Sequence, residues 1–476
     1  MYHPSHIALV VMSGLCAGIV AHVWGLPFFV VVLLASAVFL VGYFFKLLLS
    51  SRVLLFVICV FCVLLGFFWV GLYEHFFIQD VSHFGDMTLW GVVSSIPRPV
   101  GRAIGFSLDS EVGPVWILVD AGTVVSFGDR IQLQGTVKPL TGTNRYLKRE
   151  RVSALVAFPE MVNRSPDPSF SLLGTLSRIR DSFSGVLSRV LPSWHSSLGV
   201  GMVLGQGSVR FPNDLKDAMR ASGTTHLVAL SGYNIAVLVS FLFTTFAFLG
   251  RRWRVLCALV CVFLFVLMTG AESSVVRAAL MGSLVLVAML LSRLYDFRYA
   301  ALFAAFIMSA QNPFILRYDI GFILSFLALF GVVYLAPVLF SLVRVSGSFL
   351  PRAMVLASET IGAQLMVLPV LAFYFDSVSF LGILSNLFIL PLVPVTMFLC
   401  FVVGFMGMFL FPLAQLCAFA LLPLLSFEVF VIRFFGSFTT VSFHGGLFFT
   451  VLYYIAIVYI LTRLWKKKNF NEYVPF

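Results

Sequence analysis

Residues Ser222–Val237 read SGTTHLVALSGYNIAV, and this stretch decides how the rest of the chain is interpreted. It opens a long series of apolar segments, yet it contains His226, Ser231, Gly232 and Asn234. Polar groups on membrane segments face a packed interior or a wet cavity, because contact with lipid costs free energy. On an uninterrupted helix, His226, Asn234 and Ser231 would share one polar sector, at about 0°, 80° and 140°. Gly232 could instead break the helix. Two interpretations stay open: a kinked span bonded to its neighbours, and the lining of a path.

Composition predicts a polytopic α-helical membrane protein. The 476 residues are 60% hydrophobic and 11% charged, with a mean hydropathy of +1.03. Soluble domains are about 45–50% apolar and about 25% charged. The net charge of +11 is only weak evidence for an anionic substrate, because cytoplasmic loops of membrane proteins collect Lys and Arg. All seven cysteines lie in apolar runs, which does not indicate a disulfide framework.

An inserted β domain is expected between residues 75 and 165, where the long apolar runs stop. Short segments of alternating polarity lie there between Gly-, Pro- and Asp-containing turns. The expected strands are Met87–Ser94, Ala103–Leu108, Val115–Val119, Arg130–Lys138 and Val152–Phe158. Five strands of this spacing fit a small OB-like barrel.

Such barrels bind single-stranded nucleic acid through basic grooves and stacking aromatics. The candidate DNA-binding residues of this domain are Arg98, Arg102, Arg145, Tyr146, Lys148, Arg149 and Arg151. A solvated, charged loop without a ligand is the alternative interpretation, and it stays open.

The chain is predicted to have five segments. They are N-terminal transmembrane helices (1–74), an extracytoplasmic OB-like domain (75–165), an amphipathic helix with a Gly-rich connector (166–221), the main transmembrane domain (222–465) and a basic tail (466–476). Basic clusters that follow several spans place those loops and both termini in the cytoplasm, and the β domain outside. The spans expected in the main transmembrane domain include His226–Leu249 and Ser379–Phe398. Pro369, Pro391 and Pro394 indicate broken helices.

A second polar focus lies at Gly270–Ala278, where Ser273 can cap a helix and Arg277 sits at membrane depth. An arginine there needs water or a partner such as Glu272 or Asp319. A structural ion pair and a contact with phosphate are both open.

Catalytic signatures were also sought in the sequence. HxHxDH, HExxH, GxxxxGK[ST] and GxSxG patterns do not occur. We therefore predict no metal site, no cofactor, no ATPase and no enzyme activity.

Four separated patches resemble the ComEC competence-protein family. They are HLVALSGYNIAVL (His226–Leu238), ESSVVRAALM (Glu272–Met281), NPFILRYDIGFILSFLA (Asn312–Ala328), and Pro369–Pro391 with Phe375, Ser379 and Asn386. The resemblance implies a channel in the bacterial inner membrane that passes single-stranded DNA into the cytoplasm during natural transformation. By resemblance, the residues along the DNA path are His226, Ser231, Gly232, Asn234, Glu272, Ser273, Arg277 and Asp319.

The resemblance also implies partners: single-stranded DNA, the lipid bilayer, a DNA-receptor protein outside, and a cytoplasmic ATP-driven motor or single-strand-binding protein. Many family members continue into a metallo-β-lactamase-like domain, whereas this sequence ends at Phe476, so we expect the nuclease to be a separate protein. Two alternatives stay open. One is a secondary transporter for a small anionic solute. The other is a membrane enzyme that uses Glu272 or Asp319 as an acid or base.

Overall fold

The structure is a computed structural model, and it describes residues 4–27, 30–31, 52–77, 81, 84–101, 103–123, 125–141, 147–165, 171–342, 350–375, 381–438 and 446–467. The chain divides into two compact units. The first unit comprises Met1–Arg178 and Leu249–Phe322, and the second comprises Ile179–Phe248 and Ile323–Phe476.

Helices make up most of the described residues. In chain order they are α1 (Pro4–Val23), α2 (Arg52–Phe77), α3 (Leu172–Val190), α4 (Ser193–Leu204), α5 (Asn213–Ala221), α6 (Gly232–Thr245), α7 (Arg251–Met268), α8 (Ser273–Leu291), α9 (Phe297–Gln311), α10 (Ile315–Tyr318), α11 (Ile320–Phe330), α12 (Ala336–Leu342), α13 (Leu350–Phe375), α14 (Gly382–Ile389), α15 (Val393–Phe409), α16 (Phe411–Gly436) and α17 (Leu447–Lys467). Short 3₁₀ turns lie at Gln206–Ser208 and Thr225–Leu227, and a π-helical turn lies at Gly331–Leu335.

The inserted domain consists of seven strands. They are β1 (Gly85–Val93), β2 (Arg98–Val100), β3 (Ala103–Ser110), β4 (Gly113–Asp120), β5 (Arg130–Pro139), β6 (Ala154–Ala157) and β7 (Glu160–Ser165). Five of them close into a barrel in the order β1-β3-β4-β6-β5, because β5 also pairs with β1. The β4–β6 pair is parallel and the other pairs are antiparallel. The expected OB-like barrel is therefore confirmed.

Apolar side chains at alternate positions of the strands fill the barrel. Along β5, Ile131 and Leu133 are buried while Arg130 and Gln134 are exposed, as the period-two pattern predicts. The barrel core also contains Leu89, Phe106, Leu108, Val115 and Ile117. All five expected strands are present. Strands β2 and β7 were not predicted. Strand β2 pairs with β3, and strand β7 pairs with β5.

In the first unit, α1 and α2 pack closely side by side and run parallel, with Gly14 against Cys59 and Gly18 against Val63. A Cβ added to Gly18 would lie 1.9 Å from the carbonyl oxygen of Val63, and one added to Gly66 would lie 2.2 Å from that of Leu15. The two backbones are therefore in direct contact, which only glycine permits. The pair packs on α9, since the indole of Trp69 donates a hydrogen bond to the carbonyl of Ala310.

In the second unit, α4 is enclosed by other helices, and every residue from Ser196 to Leu204 is buried. It packs against α15 and α16. The predicted span Ser379–Phe398 is wrong as a continuous helix: α14 and α15 are separate and meet at 57°. Pro391 lies in the break and Pro394 in the first turn of α15, which agrees with the expectation of a broken helix there. At Pro369 the expectation is wrong, because this proline lies inside the uninterrupted helix α13.

Six helices of the described residues are long and apolar enough to cross a membrane, or seven if the bent α14–α15 pair is one span. The chain is a multi-pass membrane protein with an inserted OB-like barrel.

Candidate nucleic-acid interface

A basic turn at residues 147–151 lies between β5 and β6 and contains Lys148, Arg149, Glu150 and Arg151. Leu147 and Val152 flank the turn and are buried beside Trp116 and Leu155. Arg151 adopts a left-handed backbone conformation (φ 59°) that ends the turn. Because both flanks are anchored in the barrel, the charged side chains between them are held at fixed positions on its outside.

Three acidic side chains within the first unit pair with these basic groups, namely Glu150, Asp319 and Glu74. Glu150 accepts hydrogen bonds from Arg98 and, at 3.1 Å, from Nε of Arg149. Arg149 Nη1 also lies 3.9 Å from Oδ1 of Asp319. Glu150, Asp319 and the two arginines that pair with them keep between 17% and 30% of their side-chain surface exposed, so these pairs lie at the edge of the protein rather than in its core.

Hydrogen bonds hold the turn against the segment that links α9 to α11. Asn312 Nδ2 donates to the carbonyl of Arg149 at 2.7 Å, and Arg151 Nη2 donates to the carbonyl of Gln311 at 2.8 Å. This segment, residues 311–319, is the start of the NPFILRYDIG patch. We call the turn 147–151, the neighbouring Arg98 and residues 311–319 together the junction.

Aromatic rings support the cations of the junction. Arg98 lies over Trp116, Lys148 over Phe314, and Arg151 over Tyr73, at 5.1, 5.4 and 5.8 Å from the ring centroids. The Lys148 ammonium is also 3.7 Å from the Glu74 carboxylate. The three rings are buried, so they position the cations and are not free to stack with a ligand.

Asp319 connects two of the predicted sets of site residues. Its Oδ2 accepts a hydrogen bond from the hydroxyl of Ser273 at 2.5 Å, while its Oδ1 accepts one from the backbone of Phe322 at the start of α11. The structure thus brings together Ser273 and Asp319 of the membrane set with Arg149 of the barrel set. The sequence placed these residues in separate groups.

Sequence reasoning did not single out Arg317. Its Nη1 donates to the carbonyl of Val23 at 2.8 Å, and its guanidinium lies over the rings of Trp24 and Tyr318. The sequence feature that could have identified Arg317 was its position inside the NPFILRYDIG patch, two residues before Asp319.

Arg277 and Glu272 lie at the first turns of α8. Glu272 occupies the N-cap position, and Arg277 is buried, with 6% of its surface exposed. The position of Arg277 at membrane depth stays a prediction. The expected capping by Ser273 is wrong, because Ser273 is the first residue of α8 and its hydroxyl donates to Asp319.

In the second unit, the central stretch is interrupted rather than continuous. His226 lies in the 3₁₀ turn, where its Nδ1 is 3.1 Å from the carbonyl of Gly223, and α6 begins only at Gly232. The predicted span His226–Leu249 is confirmed as an apolar segment long enough to cross a membrane, at Thr225–Thr245. It is not one uninterrupted helix, because Ser231 takes an extended N-cap conformation, so the single polar sector does not form. The alternative, a break at Gly232, is confirmed.

Ser231 and Asn234 act together at this break. The Ser231 hydroxyl donates to Oδ1 of Asn234 at 3.1 Å, and Nδ2 of Asn234 donates to the carbonyl of Met202 at 3.0 Å. Asn234 is buried and thereby ties the start of α6 to the last turn of the enclosed helix α4. The motif asparagine is thus part of the packing of the second unit.

Arg102, Arg145 and Tyr146 lie outside the described residues. Among the residues that the structure does describe, no cluster of three His, Cys, Asp or Glu side chains is arranged to hold a metal ion.

The fold and these motifs define a multi-pass membrane protein with an inserted OB-like barrel whose basic turn packs on residues 311–319. The chain belongs to the Competence protein family, whose model matches residues 202–468, more than half of its length.

A curated relative supports this membership. The chain is 25% identical over 366 residues to ComE operon protein 3 of Bacillus subtilis (strain 168). The alignment covers 72% of this chain and 45% of the relative, so the chain spans about half the length of that protein. No solved structure matches the chain.

Proposed function

We propose that the chain is a channel subunit that passes single-stranded DNA across the bacterial inner membrane during natural transformation. The observation that carries this proposal is the junction: an OB-like barrel in a Competence family protein presents its basic turn on the family's membrane patch at residues 311–319. A strand that follows the barrel surface would be delivered to that patch.

The electrostatics of the barrel support a backbone-directed contact. Four consecutive residues of one turn include the three cations Lys148, Arg149 and Arg151. Arg98 reaches the same site from β2. Single strands are held by such basic surfaces without regard to sequence, and their binding weakens steeply with salt.

Trp90 offers a ring for base stacking that sequence reasoning missed. It lies on β1 with 49% of its surface exposed and pairs across the sheet with Gln132 of β5. A base stacked on an aromatic ring contributes about 1–3 kcal/mol. The alternation of the strand could have identified Trp90. Since Leu89 points into the barrel, the next residue, Trp90, must point out.

In the membrane domain, the proposed path residues are those of the family motifs, Glu272, Ser273, Arg277 and Asp319 in the first unit and the break at His226–Asn234 in the second. Arg277 is the residue of this set suited to meet a phosphate, because its guanidinium is charged at any physiological pH.

We further propose the orientation and partners that this role requires. The barrel faces the outside, and both termini face the cytoplasm, in keeping with the positive-inside rule. A DNA receptor outside, a separate nuclease, and a cytoplasmic motor or single-strand-binding protein complete the machinery.

The test is DNA uptake in a naturally transformable host that lacks this gene. Labelled duplex DNA is supplied, and the DNase-protected single-stranded label is measured after complementation. The intact gene restores protection, and the variant with Lys148, Arg149 and Arg151 replaced by Ala restores much less. Arg298→Ala, which removes a cation paired with Asp296 elsewhere in the first unit, is the control and restores full protection. Normal internalisation in the deletion strain would refute the proposal.

A secondary transporter for a small anionic solute is the second candidate, favoured by the break between α14 and α15. Broken helices expose backbone groups that bind solutes in many transporters. Such a carrier has no evident need of a DNA-binding barrel. Replacing Lys148, Arg149 and Arg151 would then leave solute uptake intact, whereas a DNA channel would lose its strand uptake.

A further inference from the structure

The cations of the junction are paired with acids of the same chain. Arg98 and Arg149 share one carboxylate, that of Glu150, and Arg149 also faces that of Asp319. A planar guanidinium recognises carboxylate and phosphate oxygens with the same geometry. The two acids therefore occupy positions in which the oxygens of a phosphodiester would make equivalent contacts.

We propose that Glu150 and Asp319 are placeholders for the phosphates of the incoming strand, so that the junction is closed by its own acids and is opened by a phosphodiester backbone. The proposal rests on the function proposed above and adds a binding site with a defined ligand class. The site would consist of Arg98, Arg149 and the neighbouring Lys148, and its ligand would be a run of consecutive phosphates.

The exposure of these groups makes the exchange feasible. The ion pairs keep 17–30% of their side-chain surface in contact with solvent, and a partly exposed pair contributes at most about fivefold to an equilibrium constant. Several phosphates arriving together on one strand can therefore displace the acids, whereas a single free anion gains little. In a fully buried pair the remaining charge would be stranded, and exchange would be unfavourable.

The other contacts of the junction can survive the exchange. The turn is also held by the hydrogen bonds from Asn312 to the carbonyl of Arg149 and from Arg151 to the carbonyl of Gln311, which involve neither acid. The buried rings of Trp116 and Phe314 keep Arg98 and Lys148 in place. The strand thus meets cations that are already positioned, and only the anions are exchanged.

The experiment measures binding of a fluorescent oligothymidylate to the full-length protein in detergent, by anisotropy over a salt series. The variants are Asp319→Asn, Glu150→Gln and the double variant. Asn retains the capping contact of residue 319 with Phe322, and Gln retains the shape of residue 150. Asn also replaces the oxygen that accepts from Ser273 by an amide donor, so Glu150→Gln is the cleaner removal of charge. Asp296→Asn is the matched control, because it removes the same charge from an exposed pair with Arg298.

We expect each single variant to bind the oligonucleotide about three- to fivefold more tightly than the unmodified protein, and the double variant more tightly still. The slope of log affinity against log salt should steepen by about 0.7 for each additional phosphate contact. An oligomer with an uncharged methylphosphonate backbone should show no gain.

Each alternative outcome is informative. Unchanged or weaker binding in both single variants, or an equal gain in Asp296→Asn, would overturn the placeholder assignment and leave the DNA-binding role intact. No binding by the unmodified protein at low salt would overturn both proposals. Should Asp319→Asn fail to give a monodisperse protein, Glu150→Gln decides the question, because Glu150 lies on the barrel turn and caps no helix.

Discussion

The docking of the basic turn on residues 311–319 predicts that Asn312 controls how often the turn opens. Asn312→Ala removes the hydrogen bond from Nδ2 to the carbonyl of Arg149, which is 2.7 Å long. A neutral hydrogen bond of this kind contributes about 0.5–1.5 kcal/mol net. The population of the open turn should therefore rise by a factor of about 2 to 12.

Limited trypsin digestion of the full-length protein measures this population. The turn contains Lys148, Arg149 and Arg151, so its opening exposes three sites for an enzyme that cuts after basic residues. When opening and closing are faster than cleavage, the cleavage rate follows the open population. Fragments that end at these residues, quantified by mass spectrometry, should form about 2 to 12 times faster in Asn312→Ala.

Two further variants make the result specific. Asn312→Asp keeps the acceptor for the backbone of Phe314 but loses the donor, so it should open the turn at least as much as the alanine variant. Asn163→Ala on the exposed surface of β7 should leave cleavage unchanged. Equal cleavage rates in Asn312→Ala and the unmodified protein would refute the docking role of this residue.

Three other predictions concern packing, each read from thermal unfolding in detergent. Gly18→Ala should destabilise the parallel α1–α2 pair by about 1–3 kcal/mol, because its Cβ would meet the Val63 carbonyl, while Gly71→Ala, whose Cβ has only an ordinary contact with His22, should be nearly neutral. Equal melting temperatures would argue against backbone contact. Asn234→Ala should lower the free energy of unfolding by about 1–3 kcal/mol through the loss of the hydrogen bond to Met202, and Ser231→Ala should lower it by less. The reverse order would contradict the role given to Asn234. Phe106→Ala in the barrel core should lower the free energy of unfolding by about 3–5 kcal/mol, whereas Phe158→Ala at an exposed position should change it little. A small effect at Phe106 would mean that this side chain is not packed in the core.

The barrel could be predicted from sequence because its information is local. Alternation such as that of Ile131 and Leu133 reports which face of a strand is buried, and Gly and Pro residues mark the turns. Strand β7 was missed because its residues are mostly exposed and show no apolar alternation. Strand β2 was missed because it has three residues, one of them proline.

The junction could not be predicted because it is formed by distant residues. The hydrogen bond between Asn312 and Arg149 joins positions 163 residues apart, and no local pattern reports such a pairing. The same holds for the bond from Asn234 to Met202, which decides that α6 begins at Gly232. The sequence did indicate that a glycine beside a serine could interrupt the helix. The choice between a break and a continuous helix depended on a tertiary contact.

The angle between α14 and α15 has a consequence for the thickness of membrane that this chain fits. Residues 382–409 as one straight helix would be about 42 Å long, well beyond the hydrocarbon thickness of about 30 Å. The 25 residues of the two helices would span about 38 Å if collinear. With α14 inclined by 57° to α15, their length projected on the axis of α15 is about 32 Å. The bend thus brings an overlong apolar segment to bilayer dimensions without tilting the whole helix. Replacement of Pro391 that straightened the pair would create a hydrophobic mismatch of about 10 Å, which the surrounding lipid or a tilt of the helix would have to absorb.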